Sequence, residues 1–279
     1  MVNKKRFKKL AVFILAVLLV SGLAACTIKD GKDNEISSTQ PETTSNTVRI
    51  TFPEGSSIAQ IALLLEENGV CYATEFMAAA NDPMSLEGYS FEIFNADERA
   101  FLLEGYVFPD TYDFYLNEGA PSALKRFLKN MESKLTEEVY LRSAELGYTV
   151  DEILTIASII QEEAGNSAEM GKVSSVIHNR LNCDDFPKLQ CDVATFYLRD
   201  YVKPYTDSER YEVLLDLYNT YNCEGLPAGP ITNCGMHAIN AALYPEETDY
   251  YYFVTDSKNN YYYAETWEEH RKNCDIAGL

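Results

Sequence analysis

Apolar residues recur at helical spacing from Val150 to Ala164, in "VDEILTIASIIQEEA". At ~100° per residue, Val150, Ile153, Ala157, Ile160 and Ala164 mark the centre of one face. Leu154 lies on one flank, Ile156 and Ile159 on the other. Thr149 and Glu152 form a capping-box pattern, so the helix is expected to begin at Val150. Asp151, Thr155, Ser158 and Glu162 fall together opposite the apolar face, which predicts a solvated side. Glu163 projects one turn beyond Ile156 and Ile159, on their flank.

The same reading along the chain predicts a small element set. "VRITF" alternates as a strand and "PEG" turns the chain. "SSIAQIALLLEENGV" is an amphipathic helix capped by Ser56 or Ser57, and "ATEFMAAAND" is a second, shorter one. Further helices are expected at about 120–146, 169–181 and 236–243. Alternating Tyr, Phe and Val around "DSKNN" predict an antiparallel hairpin in "DYYYFVTDSKNNYYYAE". Strand, helices and hairpin together make an α+β protein, with a small module at 48–85 followed by a larger domain at 86–279.

The N-terminus follows a different pattern. "MVNKKRFKK" is basic, "LAVFILAVLLVSG" is apolar, and "LAAC" ends at Cys26. The apolar run is shorter than the roughly 20 residues that span a bilayer. Small residues before a cysteine resemble a bacterial lipobox, so residues 1–26 are expected to be a lipoprotein signal with Cys26 as the lipidated residue. Residues 27–47 are polar and read as a flexible tether. This places the rest of the chain at the extracytoplasmic face of the plasma membrane, on a lipid anchor.

Charge changes the list of partners. The chain carries a formal charge of −20, and removal of residues 1–25, with five basic residues and no acid, takes it to −25. So acidic a domain repels nucleic acid and anionic headgroups. Seven cysteines include Cys26. The six others, Cys71, Cys183, Cys191, Cys223, Cys234 and Cys274, permit disulfides outside the cytoplasm, in a pattern that the spacing leaves open. No cysteine or histidine spacing suggests a metal site, and no cofactor fingerprint is present. His178, His237 and His270 make no triad with a serine, and His178 reads as a packed helix residue.

Candidate chemistry centres on Glu163. A carboxyl held against isoleucines loses hydration, its charged form is disfavoured, and it can keep a proton near neutral pH. Glu162 falls on the side expected to be solvated.

Six stretches then come in a telling order: "LLEGYVFPDTYDF", "IASIIQEEA", "VIHNRL", "LQCD", "YNTYNCEGLPAGPITNCG" and "DYYYFV". Together they resemble the MltG/YceG-like endolytic murein transglycosylases over about residues 48–270. The resemblance implies a LysM-like module at 48–85 and a mixed α+β lytic-transglycosylase catalytic domain at 86–279. It implies cleavage of the β-1,4 bond between N-acetylmuramic acid and N-acetylglucosamine in peptidoglycan glycan strands, with a 1,6-anhydro end and no cofactor. The family's catalytic glutamate, the second of its "ASI-[VI]-E-x-E" motif, matches Glu163; the first is Gln161 here. The family's "LQSDPT" reads "LQCDVA" and its "NPG" reads "NCG". Gln190, Asp192, Asn219 and Tyr221 are the candidates for binding sugar. Tyr106, Asp110 and Tyr112 either line a groove or hold a turn, the turn being favoured for Asp110. Cell-wall synthesis proteins are the partners implied. The rival class is a membrane-tethered lipoprotein that binds peptidoglycan without cutting it; a solute-binding lipoprotein would show repeated strand–helix units, which this chain lacks.

Overall fold

The computed structural model describes residues 46–279. Cys26 and the 1–45 segment, with the expected lipidation site and most of the tether, lie outside the described residues. Ser57 caps the first helix, α1 (Ile58–Glu67), in a capping box with Gln60, and Ile58, Ile61 and Leu65 face the core. Helix α2 (Ala73–Ala80) follows. Ahead of both runs β1 (Thr47–Thr51), whose partner is not local: it pairs antiparallel with β2 (Thr111–Tyr115), Ile50 opposite Tyr112 and Val48 opposite Phe114. The strand and helices of the 48–85 segment are therefore completed by a strand from beyond residue 86. Helix α3 (Ala120–Lys134) packs on α2 and brings Phe127 to within 4.9 Å of the Phe52 ring and 4.5 Å of Tyr112. The expected 120–146 helix is two helices. The chain breaks at Leu135, and α4 (Glu137–Leu146) restarts after Thr136, two glutamates in its first turn favouring the positive helix end.

Helix α5 (Val150–Glu163) is the central element of the remaining chain. Its cap is the predicted one: Thr149 Oγ1 accepts from the Glu152 amide, and the Glu152 carboxylate accepts from the Thr149 amide. It packs against α4, α6 (Met170–Leu181), α7 (Val193–Tyr197) and α9 (Met236–Leu243). Helix α7 continues into a π-helical turn at Leu198–Val202, and α8 (Ser208–Tyr218) follows. The predicted hairpin forms as β3 (Tyr252–Thr255) and β4 (Tyr261–Ala264), closed by Asp256, whose carboxylate accepts from the amides of Lys258 and Asn260. Helix α10 (Trp267–Ala277), absent from the sequence-based set, packs on both strands.

One expectation needs correction. The polar side of α5 is not solvated: Asp151, Thr155 and Ser158 are buried. Asp151 is ion-paired with Arg99 and accepts from the Tyr106 hydroxyl at 2.7 Å. Thr155 donates to the Asp151 carbonyl, and Ser158 donates to the Thr155 carbonyl while accepting from the Ile231 amide at 3.0 Å. Each polar group finds a partner, so a buried polar stripe is tolerated. Only Glu162, at its end, is exposed.

The loop before α9 docks this region onto the 53–58 turn. Buried Asn233 accepts at Oδ1 from the amides of Gly105 and Val107, and its Nδ2 donates to the Ser56 carbonyl and to Glu104. Gly105 has φ +88°, and a Cβ there would meet the Pro230 ring at 2.5 Å, so both backbone and space call for glycine.

Candidate active site

Glu163 ends α5, and its carboxyl faces a cleft of about 640 Å³. The end of the helix is fastened by a residue from the hairpin. The Tyr261 hydroxyl donates to the Glu163 carbonyl at 2.8 Å and accepts from the Gly165 amide at 2.6 Å. One phenol thus satisfies a terminal carbonyl and sets the direction in which Glu163 leaves the helix. Gln161, on the opposite side of the helix, accepts from the Gly235 amide at 3.1 Å, where α9 begins. A neutral amide does that as well as a carboxylate would.

Burial, and next the nearby Asp192 carboxylate, push the Glu163 carboxyl up to about 7 against the opposing effect of a hydrogen bond with the Cys191 thiol. The aliphatic flank that the helical periodicity placed beside Glu163 is fully buried: Ile156 and Ile159 have no exposed surface. Glu162 differs. The residue is exposed, yet its carboxylate lies against the Gly55 turn, and partial burial there raises its pKa against a hydrogen bond with Thr232.

The "LQCD" turn forms the adjacent wall. Gln190 sits at φ +58°, and its amide nitrogen donates to the Thr220 carbonyl at 3.1 Å. Buried Thr220 clamps the next residue twice, accepting from the Cys191 amide and donating to the Cys191 carbonyl, each at 2.8 Å. The turn is thus held to the "YNTY" loop by backbone and hydroxyl. Gln190 Oε1 accepts from Arg180 at 2.6 Å. Asp192 opens α7 and takes a hydrogen bond from the Tyr221 phenol, whose pKa rises to about 12 through burial and that carboxylate.

Glu163, Gln190, Asp192 and Tyr221 therefore line one cleft. Asn219 does not. It caps the end of α8, and its Oδ1 accepts from the Tyr221 amide at 3.0 Å, so it shapes the loop that carries Tyr221. Tyr106 is buried and bound to Asp151; the Tyr112 hydroxyl donates to the Phe108 carbonyl. Asp110 accepts from the Thr111 amide and from Asn130, as a turn-holding residue does. His178 packs in α6 with Nε2 against the Ala242 carbonyl at 2.9 Å.

Sequence reasoning passed over three groups. Tyr261 and Arg180 act across 98 and 10 residues, and neither contact leaves a local signal. The third is Glu104, fully buried, where burial pushes the carboxyl up to about 8 against hydrogen bonds from the Ile58 amide, Tyr197 and Asn233. Those three donors bind it into the α1 start rather than into a cleft. Another cleft of equal volume opens at the far end of α5, but there Asp151 is bound to Arg99 and Glu152 to the helix cap. Among the described residues no group of three His, Cys, Asp or Glu side chains is placed to hold a metal ion, and all six cysteines are unpaired.

Fold and site together define a mixed α+β protein with a glutamic acid at a helix end, its pKa raised by burial, facing a cleft of amide, carboxylate, phenol and aromatic groups. The chain belongs to the YceG-like family, whose model matches residues 29–276. It is 32% identical over 238 residues to an endolytic murein transglycosylase of Bacillus subtilis, covering 80% of this chain and 63% of that protein. It is 29% identical over 246 residues to one of Streptococcus pneumoniae, covering 80% of this chain and 43% of that protein. The chain thus spans less than two thirds of the length of these relatives. A crystal structure of a YceG-like protein from Listeria monocytogenes superposes with a TM-score of 0.69 at 30% identity, covering 80% of this chain and 75% of that one.

Proposed function

We propose that the chain is an endolytic peptidoglycan lytic transglycosylase with Glu163 as its acid. The observation that carries this reading is a carboxyl raised to about 7, at the wall of a cleft, in the position of the family's helix motif. The Glu163 carboxyl gives its proton to the glycosidic oxygen between N-acetylmuramic acid and N-acetylglucosamine as that bond breaks. The C6 hydroxyl of the muramic sugar attacks its own C1 and loses its proton to the Glu163 carboxylate. The products are a 1,6-anhydro end and a free 4-hydroxyl, and no water is consumed. An ordinary glycosidase divides this work between two carboxyl groups; here one group serves twice because its pKa is near neutral. Gln190, Asp192 and Tyr221 supply donors and acceptors for sugar hydroxyl and N-acetyl groups.

The β1–α1–α2 segment, with β2 as its second strand, is read as the LysM-like module. Lipidation of Cys26 would hold the protein at the extracytoplasmic face of the plasma membrane, where nascent strands and the proteins that synthesise them are found. Cutting within such strands would set glycan length. The test is product analysis. Incubating the protein with uncrosslinked glycan strands should yield anhydro-ended fragments by mass spectrometry; reducing ends alone, or binding with no cleavage, would overturn the reading.

The pH dependence follows with a definite sign. An acid must hold its proton to donate it, so cleavage should be strong below pH 7 and fall as pH rises through about 7. Asp192→Asn removes a neighbouring negative charge, which lowers the Glu163 pKa. The falling limb of the pH–rate profile should then move to lower pH; a limb that stays in place would show that Asp192 does not act on Glu163.

A further inference from the structure

Trp267, Tyr252 and His270 form a group of rings at the rim of the Glu163 cleft that nothing above uses. Trp267 is 59% exposed, so the largest aromatic ring a protein has contributes little here to the core. It stands in the first turn of α10, capped by Thr266, whose hydroxyl accepts from the Glu269 amide. Its partners are fixed. Tyr252 is on β3, paired with Ala264, and lies 5.8 Å from the indole at 52°. His270 follows one turn after Trp267, stacks on Tyr252 at 5.1 Å and 20°, and lies 5.4 Å from the indole. The Arg180 guanidinium is 5.7 Å from the Tyr252 ring centre and also donates to Gln190, so the rings continue into the "LQCD" turn.

We propose that Trp267, supported by Tyr252 and His270, is a stacking subsite for a pyranose ring of the glycan strand. This rests on the transglycosylase reading and adds the place where a sugar outside the scissile bond is held. A pyranose presents an apolar face of C–H groups with weakly positive hydrogens, which suits the negative face of an indole. Its edge carries hydroxyl and N-acetyl groups, which suit the indole N–H and the Gln190 turn. Burial, and next the Arg180 charge, lower the His270 pKa, which favours the neutral form of the ring that backs the platform. The chain's strong negative charge disfavours an anionic occupant such as a phosphate or an acidic lipid surface. Rings fixed on a strand and a helix are ordered before binding, so little freedom is lost when a sugar docks.

Trp267 is the one tryptophan of the chain, so emission excited beyond the tyrosine absorption reports this position alone. The full chain carrying Glu163→Gln, which binds without cutting, is titrated with uncrosslinked glycan strands, with calorimetry as a second measure of binding. A saturable change in tryptophan emission that tracks the calorimetric isotherm is expected. In the otherwise unaltered enzyme, Trp267→Ala should raise KM about tenfold, with kcat within about twofold, and Trp267→Tyr should recover most of the loss. Strands that bind with emission unchanged, or Trp267→Ala with KM unchanged or with kcat alone reduced, would overturn the subsite and leave the transglycosylase reading standing. Emission that responds to phosphatidylglycerol vesicles but not to strands would assign the rim to the membrane and likewise overturn it. If the unaltered enzyme neither binds nor cuts strands, the transglycosylase reading fails and takes the subsite with it.

Discussion

Glu163→Gln is expected to abolish cleavage, with a loss of at least about a thousandfold, the upper part of the range for general acid–base catalysis. The amide keeps the shape of the side chain and its place beside the cleft but has no proton to give. Glu162→Gln is the matched control. It changes a neighbouring carboxyl that rests on the Gly55 turn, outside the cleft lining, and should leave kcat/KM within about threefold. Stability separates the chemistry from the fold. The folded-state pKa of Glu163 is raised above its unfolded value, so its contribution is complete below about pH 4.3 and is lost as pH rises through about 7. Glu163→Gln removes a buried carboxylate at alkaline pH, so its urea midpoint above pH 7 should equal or exceed that of the unaltered chain. Equal loss of activity in both variants, or unfolding of Glu163→Gln, would remove Glu163 from the acid's role.

The part of this site legible in the sequence is the part made by local spacing. Thr149 and Glu152 start α5, the isoleucines set its inner face, and Glu163 follows by period alone. What was not legible depends on partners distant in sequence. The polar stripe of α5 reads as solvated because nothing local distinguishes a buried Asp151 from an exposed one. Its partner Arg99 is 52 residues away, and the amide that Ser158 binds is 73 away. The same holds for β1, whose register is set by β2 some 64 residues later, and for Tyr261, which reaches back 98 residues to close α5. The expected 120–146 helix is split because Leu135 and Thr136 carry the non-helical backbone that restarts α4, and neither is a glycine or proline that would signal the break. Among the chemical candidates, Gln190, Asp192 and Tyr221 reach the Glu163 cleft, whereas Asn219 shapes the loop beside it. Side chains two residues apart on an irregular loop point in unrelated directions, so their sequence carried no such distinction.

Arg99→Met is expected to destabilise the fold by roughly 3–5 kcal/mol, the usual range when one partner of a buried ion pair is removed. The Arg99 side chain has no exposed surface and that of Asp151 is 7% exposed, so water cannot take over the lost contact. Methionine fills much of the same volume, so the effect is the lost charge together with the hydrogen bonds that Arg99 donates to the Phe94 and Leu102 carbonyls, each at 3.3 Å. Asp151 would retain a hydrogen bond from Tyr106 but lose the cation paired with it, and a carboxylate so placed carries most of its desolvation cost uncompensated. Replacing both members, Arg99→Met with Asp151→Leu, should cost clearly less than the two single changes together, because no charge is stranded. Urea unfolding followed by circular dichroism gives all four corners of that cycle. Additive losses would mean that the two residues do not face each other in solution. The pair stands at the first turn of α5 and Glu163 at the last, about 18 Å apart along the axis. The variants should therefore lose stability while the molecules that remain folded keep the same pH–rate limb, since the acid's surroundings are built by Tyr261, Cys191 and Asp192 at the other end of the helix.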